Sequence, residues 1–259
     1  MEQVKLSFVM PAYNEGDSIE GALSSLDQAV RGFRLRYEVV VVDDGSVDRT
    51  RVNAIKYASQ NGHVRVISHK GNVGKGHAVK KGFMMATGEA VIFVDSDLEI
   101  DLEQVSSFVE ALKHGDIVIA SKWHPDSVVD IPLMRRFLGL GFHMLVRLLT
   151  GVKLRDTQAG LKALRKSAFK DIIPQLVVKR YAFDVELLAL ANLYGLRVVE
   201  MPVNITMKSL FSFREAWRML LDLLGIAYRL RVRRWYQRAL KWSSRSFAED
   251  SDFQLALLA

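Results

Sequence analysis

Asp95 and Asp97 stand one residue apart, directly after the apolar run Ala90, Val91, Ile92, Phe93, Val94. Such a run suits a central strand covered on both faces, and its end is where open α/β sheets place their ligands. Hard carboxylate oxygens there suit a divalent cation, Mg2+ or Mn2+, that keeps several waters and shares phosphate oxygens. Further polar groups follow other apolar runs: Pro11, Tyr13, Asn14 and Glu15 after the first, and Asp43, Asp44 and Ser46 after the second. Glu15 and Asp44 are the candidates to accept hydrogen bonds from a ribose or a base. Gly71, Gly74 and Gly76 surround Lys75 just ahead of a helical pattern, which suits close approach to a phosphate. The order of these residues is neither that of a P-loop nor that of the dinucleotide fingerprint.

The elements that must position these groups alternate. Strand-like runs at 6–10, 38–42, 64–67, 90–94 and 116–120 are separated by helical patterns at 18–31, 48–61, 75–86 and 102–113. That alternation predicts an α/β fold with a mostly parallel sheet and helices on both faces. From Pro132 the texture changes. Residues 133–150 read as an amphipathic helix, 157–164 as a returning strand, 182–194 as a helix and 197–203 as a last strand. A single long helix is predicted from 213 to about 242, with Trp217, Leu221, Leu224, Tyr228, Val232, Trp235, Ala239 and Trp242 at helical spacing. The organisation is therefore a catalytic domain over 1–210, a basic amphipathic helix over 211–243 and a disordered tail over 244–259.

Composition narrows the class. The 259 residues are 49% hydrophobic and 25% charged, as in a folded globular protein. Without cysteine, disulfides and thiolate metal sites are excluded. The six histidines show no ligand-pair spacing, and His77 and His143 read as ordinary helix residues. No signal peptide and no membrane span are read from the sequence. The net charge of +7 is concentrated late, with Arg229, Arg231, Arg233, Arg234, Arg238, Lys241 and Arg245 uninterrupted by any acid. Basic residues combined with aromatic ones on a helix suit the interface of an anionic membrane, although packing on the core is the ordinary use of an apolar stripe.

Four segments together, Pro11–Glu15, Val41–Ser46, Gly71–Gly76 and Asp95–Asp97, resemble family-2 glycosyltransferases of the GT-A fold. The resemblance implies a nucleotide-diphosphate sugar held by Pro11, Tyr13, Glu15, Asp44, Lys75, Asp95 and Ser96. It implies Mg2+ or Mn2+ on Asp97, Asp95 and Glu99, with Asp95 and Asp97 serving the chemistry. Arg155 to Lys162, with Asp156 and Gln158, and Arg180 to Leu188, with Asp184, resemble the enzymes that charge dolichyl or other polyprenyl phosphates with one sugar. Both dolichyl-phosphate mannose synthases and dolichyl-phosphate glucosyltransferases are of this kind. The resemblance covers roughly 5 to 240 and departs from it at Glu99, at Lys122 and in the shortened stretch Met207, Lys208, Ser209.

A lipid phosphate is already ionised, so it needs cations more than a base. Lys122, Arg135, Arg136 and Lys208 are the candidates to hold it, Lys122 and Arg135 also acting at the reacting centre. In-line attack implies inversion, giving a β-linked product from an α-linked donor. Asp184 and Glu186 do not share a helix face, so one is expected to orient the site and the other to be a solvated or capping charge. Mannose from a GDP donor and glucose from a UDP donor both remain open. Transfer to a glycan hydroxyl is the alternative enzyme reading, and a basic nucleic-acid-binding protein is the alternative of another class. The leading reading places the protein peripherally on the cytoplasmic face of a membrane, beside a membrane-protein partner or a second copy, and without nucleic acid.

Overall fold

A computed structural model describes residues 5–32, 35–97, 101–158, 160–206 and 213–239, except the side chains of Leu133, Arg135, Thr206 and Phe213. Glu99, Lys208, Trp242 and the 244–259 tail lie outside the described residues.

The strands are β1 (Leu6–Ala12), β2 (Tyr37–Asp43), β3 (Val64–Ser68), β4 (Ala90–Phe93), β5 (Ile117–Ala120), β6 (Val128–Asp130), β7 (Lys162–Arg165), β8 (Val198–Met201) and β9 (Asn204–Thr206). The helices are α1 (Ile19–Val30), α2 (Thr50–Gln60), α3 (Lys75–Met85), α4 (Val105–Ala111), α5 (Leu133–Thr150), α6 (Lys166–Phe169), α7 (Phe183–Leu193) and α8 (Phe213–Ala227). Seven strands form one sheet in the order β3-β2-β1-β4-β7-β5-β8, and β6 pairs with β9 apart from it. Every pairing in the large sheet is parallel except those of β7, which runs antiparallel between β4 and β5.

The strands are apolar on both faces because both faces are covered. In β1, Val9 joins the core on one side, while Phe8 and Met10 join the core on the other. The same alternation runs along β2, with Val40 and Val42 opposed to Val39 and Val41. Val79 and Phe83 of α3 and Leu187 of α7 fill the first side. Leu23 and Leu26 of α1, Ala54 of α2 and Phe108 of α4 fill the second.

The end of the chain differs from the expected single helix. After α8 the backbone widens into a π-helical stretch, Tyr228–Val232, and breaks at Arg233 and Arg234, where Arg234 takes a left-handed φ of 47°. The break turns Tyr236 inward, to 1% exposure. The stripe anticipated from the sequence is not the buried one. Trp217, Leu221, Leu224, Tyr228, Val232 and Trp235 are exposed, and Leu223, Ile226, Leu230 and Tyr236 pack on the core instead. On α5, Met134, Phe137, Met144 and Leu148 are likewise exposed. Because α5 and α8 pack side by side, the two helices share an exposed apolar flank.

Candidate active site

The carboxyl edge of the sheet collects the chemistry-bearing residues. Asn14 follows β1 in a left-handed conformation (φ 56°), which asparagine tolerates. Its side-chain oxygen accepts from the Val47 amide at 3.1 Å and its own amide donates to Ser46 Oγ at 3.0 Å, tying the β1 and β2 loops together. Asp43 Oδ1 accepts from the Ser46 amide at 3.0 Å. Glu15 accepts from the Ser18 hydroxyl at 2.6 Å, Tyr13 is exposed beside it, and Pro11 is buried within β1.

Asp44 is engaged with the glycine loop. It is 3% exposed, and its two oxygens accept from His69 Nδ1 (2.8 Å), the Val73 amide (3.0 Å) and the Gly74 amide (2.7 Å). It fixes the glycine loop. That loop is in turn docked on the segment before α7. At Gly74 (φ 119°), a methyl group would lie 3.0 Å from the Lys179 carbonyl carbon, and at Gly76 one would lie 2.8 Å from the Val178 oxygen. Glycine is required here for backbone against backbone, and the docking brings Lys75 to the start of α3.

Lys75 reaches across to Asp95, Nζ to Oδ1 at 2.6 Å. Burial alone would lower the lysine's pKa and raise the aspartate's. The neighbouring opposite charges outweigh it, so Lys75 is held above the ordinary lysine value and Asp95 below the ordinary carboxylate value. Behind them Lys162 pairs with Asp184 at 2.8 Å, with both residues buried. Burial pushes the Asp184 carboxyl up despite Lys162 and Lys75. In the sequence Lys162 only closes the Arg155 to Lys162 stretch and carries no role of its own; in the structure it opens β7. Because β7 is antiparallel, its first residue lies opposite Phe93 and Ile119, at the edge where β4 and β5 end. The available signal was a lysine directly ahead of the apolar pair Ala163 and Leu164.

Asp156, also buried, completes the network. Its Oδ2 accepts from the Lys122 amide and pairs with Lys122 Nζ, both at 2.9 Å, while Oδ1 accepts from the Gln158 amide at 2.9 Å. Burial opposes its ionisation, but Lys122 and these amides hold its carboxyl below the usual range. Gly160 lies just beyond. A methyl group there would sit 2.9 Å from Asp95 Cγ, so any larger residue would have to displace the carboxylate. Ser96 is buried between the two aspartates and Asp97 is exposed.

This donor set fits a hard divalent cation. Asp97 is turned outward, and Asp95 is kept ionised by its lysines. Among the described residues no three His, Asp or Glu side chains converge, and Glu99 lies outside them. Tyr181 stands near both aspartates, and burial, Glu215, Asp95 and Asp97 keep its hydroxyl neutral by raising its pKa.

Next to the Lys122–Asp156 pair, the Arg136 guanidinium carbon lies 5.9 Å from the Trp123 ring centroid. Gln158 reaches α8 through Met219 Sδ at 4.0 Å. Of the expectation that one charge on α7 is solvated or capping, the solvated option is corrected, because Asp184 is 5% and Glu186 0% exposed. Glu186 accepts from the Val177 and Val178 amides (2.9 and 2.8 Å) and from the Tyr236 hydroxyl, with Arg229 at 3.4 Å. It anchors the end of the chain to the core and takes no part at the carboxyl edge.

The model of the family described as glycosyl transferase family 2 matches residues 7–173. The human dolichyl-phosphate beta-glucosyltransferase is 34% identical over 250 residues, covering 89% of this chain and 77% of that protein. Dolichyl-phosphate beta-glucosyltransferase ALG5C of Trichomonas vaginalis is 33% identical over 273 residues, covering 98% and 78%. Among solved structures, glucosyl-3-phosphoglycerate synthase from Mycobacterium tuberculosis, in complex with Mn2+ and UDP-glucose, has a TM-score of 0.66 at 20% identity. That match covers 87% of this chain and 78% of that one, and it shows the shared GT-A fold. The chain belongs to glycosyl transferase family 2 and is a glycosyltransferase.

Proposed function

We propose that this enzyme transfers one glucose from UDP-glucose to the phosphate of dolichol or another polyprenyl, with a divalent cation, on the cytoplasmic surface of a membrane. The observation that carries the reading is an adjacency. The Asp95, Asp97, Lys75, Lys122 and Lys162 edge opens beside the exposed apolar flank of α5 and α8, linked to it by Gln158 and Met219. A phosphate on a long apolar tail is the acceptor that such an adjacency fits. Relatives at 30–35% identity named dolichyl-phosphate beta-glucosyltransferase favour glucose, and none supports the mannose option specifically.

Within this reading, an acceptor phosphate oxygen attacks C1 of the α-linked glucose as the bond from C1 to the diphosphate oxygen breaks. No proton moves, and the product is β-linked. The cation, when bound, offsets the charge developing on the leaving diphosphate. Lys75 holds Asp95 in its ionised form and in place. Lys122, positioned by Asp156, and Arg136, over Trp123, supply positive charge where two anions must meet. A glycan hydroxyl would require an accessible base. The one carboxylate of the network pushed upward, Asp184, is buried and paired with Lys162.

The test supplies labelled UDP-glucose or GDP-mannose with Mg2+ or Mn2+ to the protein on vesicles containing dolichyl phosphate. Metal-dependent passage of glucose label into the organic phase is expected. Passage of mannose alone, or of neither sugar, would overturn the proposal.

A further inference from the structure

A cleft of about 730 Å³ lies where the ends of α5 and α7 meet the broken C-terminal segment. Its polar lining is Thr150, Asn192, Arg231, Arg234, Gln237 and Arg238, with no carboxylate among the lining residues. It is separate from the carboxyl edge: Asn192 lies eight residues along α7 from Asp184, about 12 Å at the rise of an α-helix.

Several groups are set to receive a ligand. Arg231 donates to the Leu148 carbonyl at 2.8 Å and Arg238 to the Arg233 carbonyl at 2.7 Å, which fixes both guanidiniums and leaves each with further donors. Arg234 adds a third guanidinium from a left-handed backbone (φ 47°) that an arginine adopts at a cost. Gln237 spends its amide N–H on the Leu230 carbonyl at 2.8 Å, and its Oε1 is buried without a partner among the described residues. Guanidiniums suit phosphate oxygens, and a buried acceptor suits a hydroxyl or amine carried on the same ligand. Leu148 and Val232, both exposed, flank the cleft and continue the apolar flank of α5 and α8.

We infer that this cleft is a second phosphate site, separate from the acceptor site, which takes the headgroup phosphate of an anionic lipid and so seats the C-terminal end of the apolar flank at the bilayer surface. The inference rests on the proposed membrane seating. The chemistry recognised is a phosphate ester, and a soluble phosphate shares it.

Three proteins test this: wild type, Arg234→Gln with Arg238→Gln, and Asn192→Trp, which fills the cleft from an exposed helix position without changing charge. Calorimetry with inorganic phosphate and glycerol 3-phosphate reads the soluble source. Flotation with phosphatidylcholine vesicles, with and without phosphatidylglycerol, reads the lipid source. The expected result is a wild-type preference for phosphatidylglycerol vesicles that falls roughly tenfold in both variants. Saturable binding of the soluble phosphates, lost in both variants but without vesicle preference, would assign the cleft to a free phosphate and overturn the lipid part. Full binding by Asn192→Trp would show that loose surface charge suffices and overturn the site. Should the double variant not fold, the Trp variant alone decides. No donor sugar or polyprenyl phosphate is used, so failure here and failure of glucosyl transfer are independent results.

Discussion

Replacing Gly160 by alanine separates chemistry from folding. The added methyl would lie 2.9 Å from Asp95 Cγ, whereas carbon atoms rest at about 3.5–4.0 Å. The carboxylate must therefore retreat by roughly 1 Å, and doing so pulls it from its 2.6 Å pair with Lys75. A misplacement of about 1 Å at a reacting centre costs on the order of 100-fold in rate, which is about 2.7 kcal/mol of activation free energy. Stability should not fall in step. Both partners of that pair are 26% exposed, so disturbing it costs about 1 kcal/mol or less of stability. The assay is initial rates of sugar transfer over a range of donor and metal concentrations, alongside thermal unfolding. The expected outcome is kcat down about 100-fold, weaker metal dependence and a Tm lowered by no more than about 4 °C. Activity within about threefold of wild type, far short of the expected 100-fold loss, would refute the role given to the Gly160–Asp95 contact.

Other perturbations follow from the same geometry. Tyr236→Phe removes a hydroxyl that donates to the fully buried Glu186; stability should fall by about 2 kcal/mol, read by denaturant unfolding. Asp156→Asn breaks the buried pair with Lys122 and should cost about 3–5 kcal/mol at neutral pH. Because the folded carboxyl is held below its ordinary value, this contribution is present above the unfolded aspartate pKa and is lost as pH falls through the folded value. The stability gap between wild type and Asp156→Asn should thus narrow in acid, and a gap independent of pH would contradict the assignment. Phe137→Glu with Leu221→Glu alters two exposed positions; Tm should hold while vesicle partitioning drops, as flotation would show.

Much of the fold was legible because its rules are local. Apolar runs followed within a few residues by Asp or Asn marked β1, β2 and β4, and their shared carboxyl edge follows from parallel pairing. The antiparallel entry of β7 was not legible, since Lys162 to Arg165 is too short to carry a direction, and Lys162 reaches the site only through that reversal. An aspartate after a strand is equally suited to base, ribose or backbone amides, and the hold of Asp44 on the glycine loop was not legible because it depends on a contact about thirty residues away in sequence. Helical periodicity across 213–242 revealed an apolar stripe but not which of two stripes faces the core. The left-handed turn at Arg234 and the burial of Tyr236 on Glu186 settled that by non-local contact.

The central claim is that an acceptor phosphate attacks the sugar directly at the carboxylate and lysine edge. The anomeric configuration of the glucosyl phospholipid made from α-linked UDP-glucose and dolichyl phosphate, read by proton NMR, tests it most directly. A β-linked product is expected, absent when Asp97 is replaced by Asn. An α-linked product, or transfer that persists in Asp97→Asn, would contradict it.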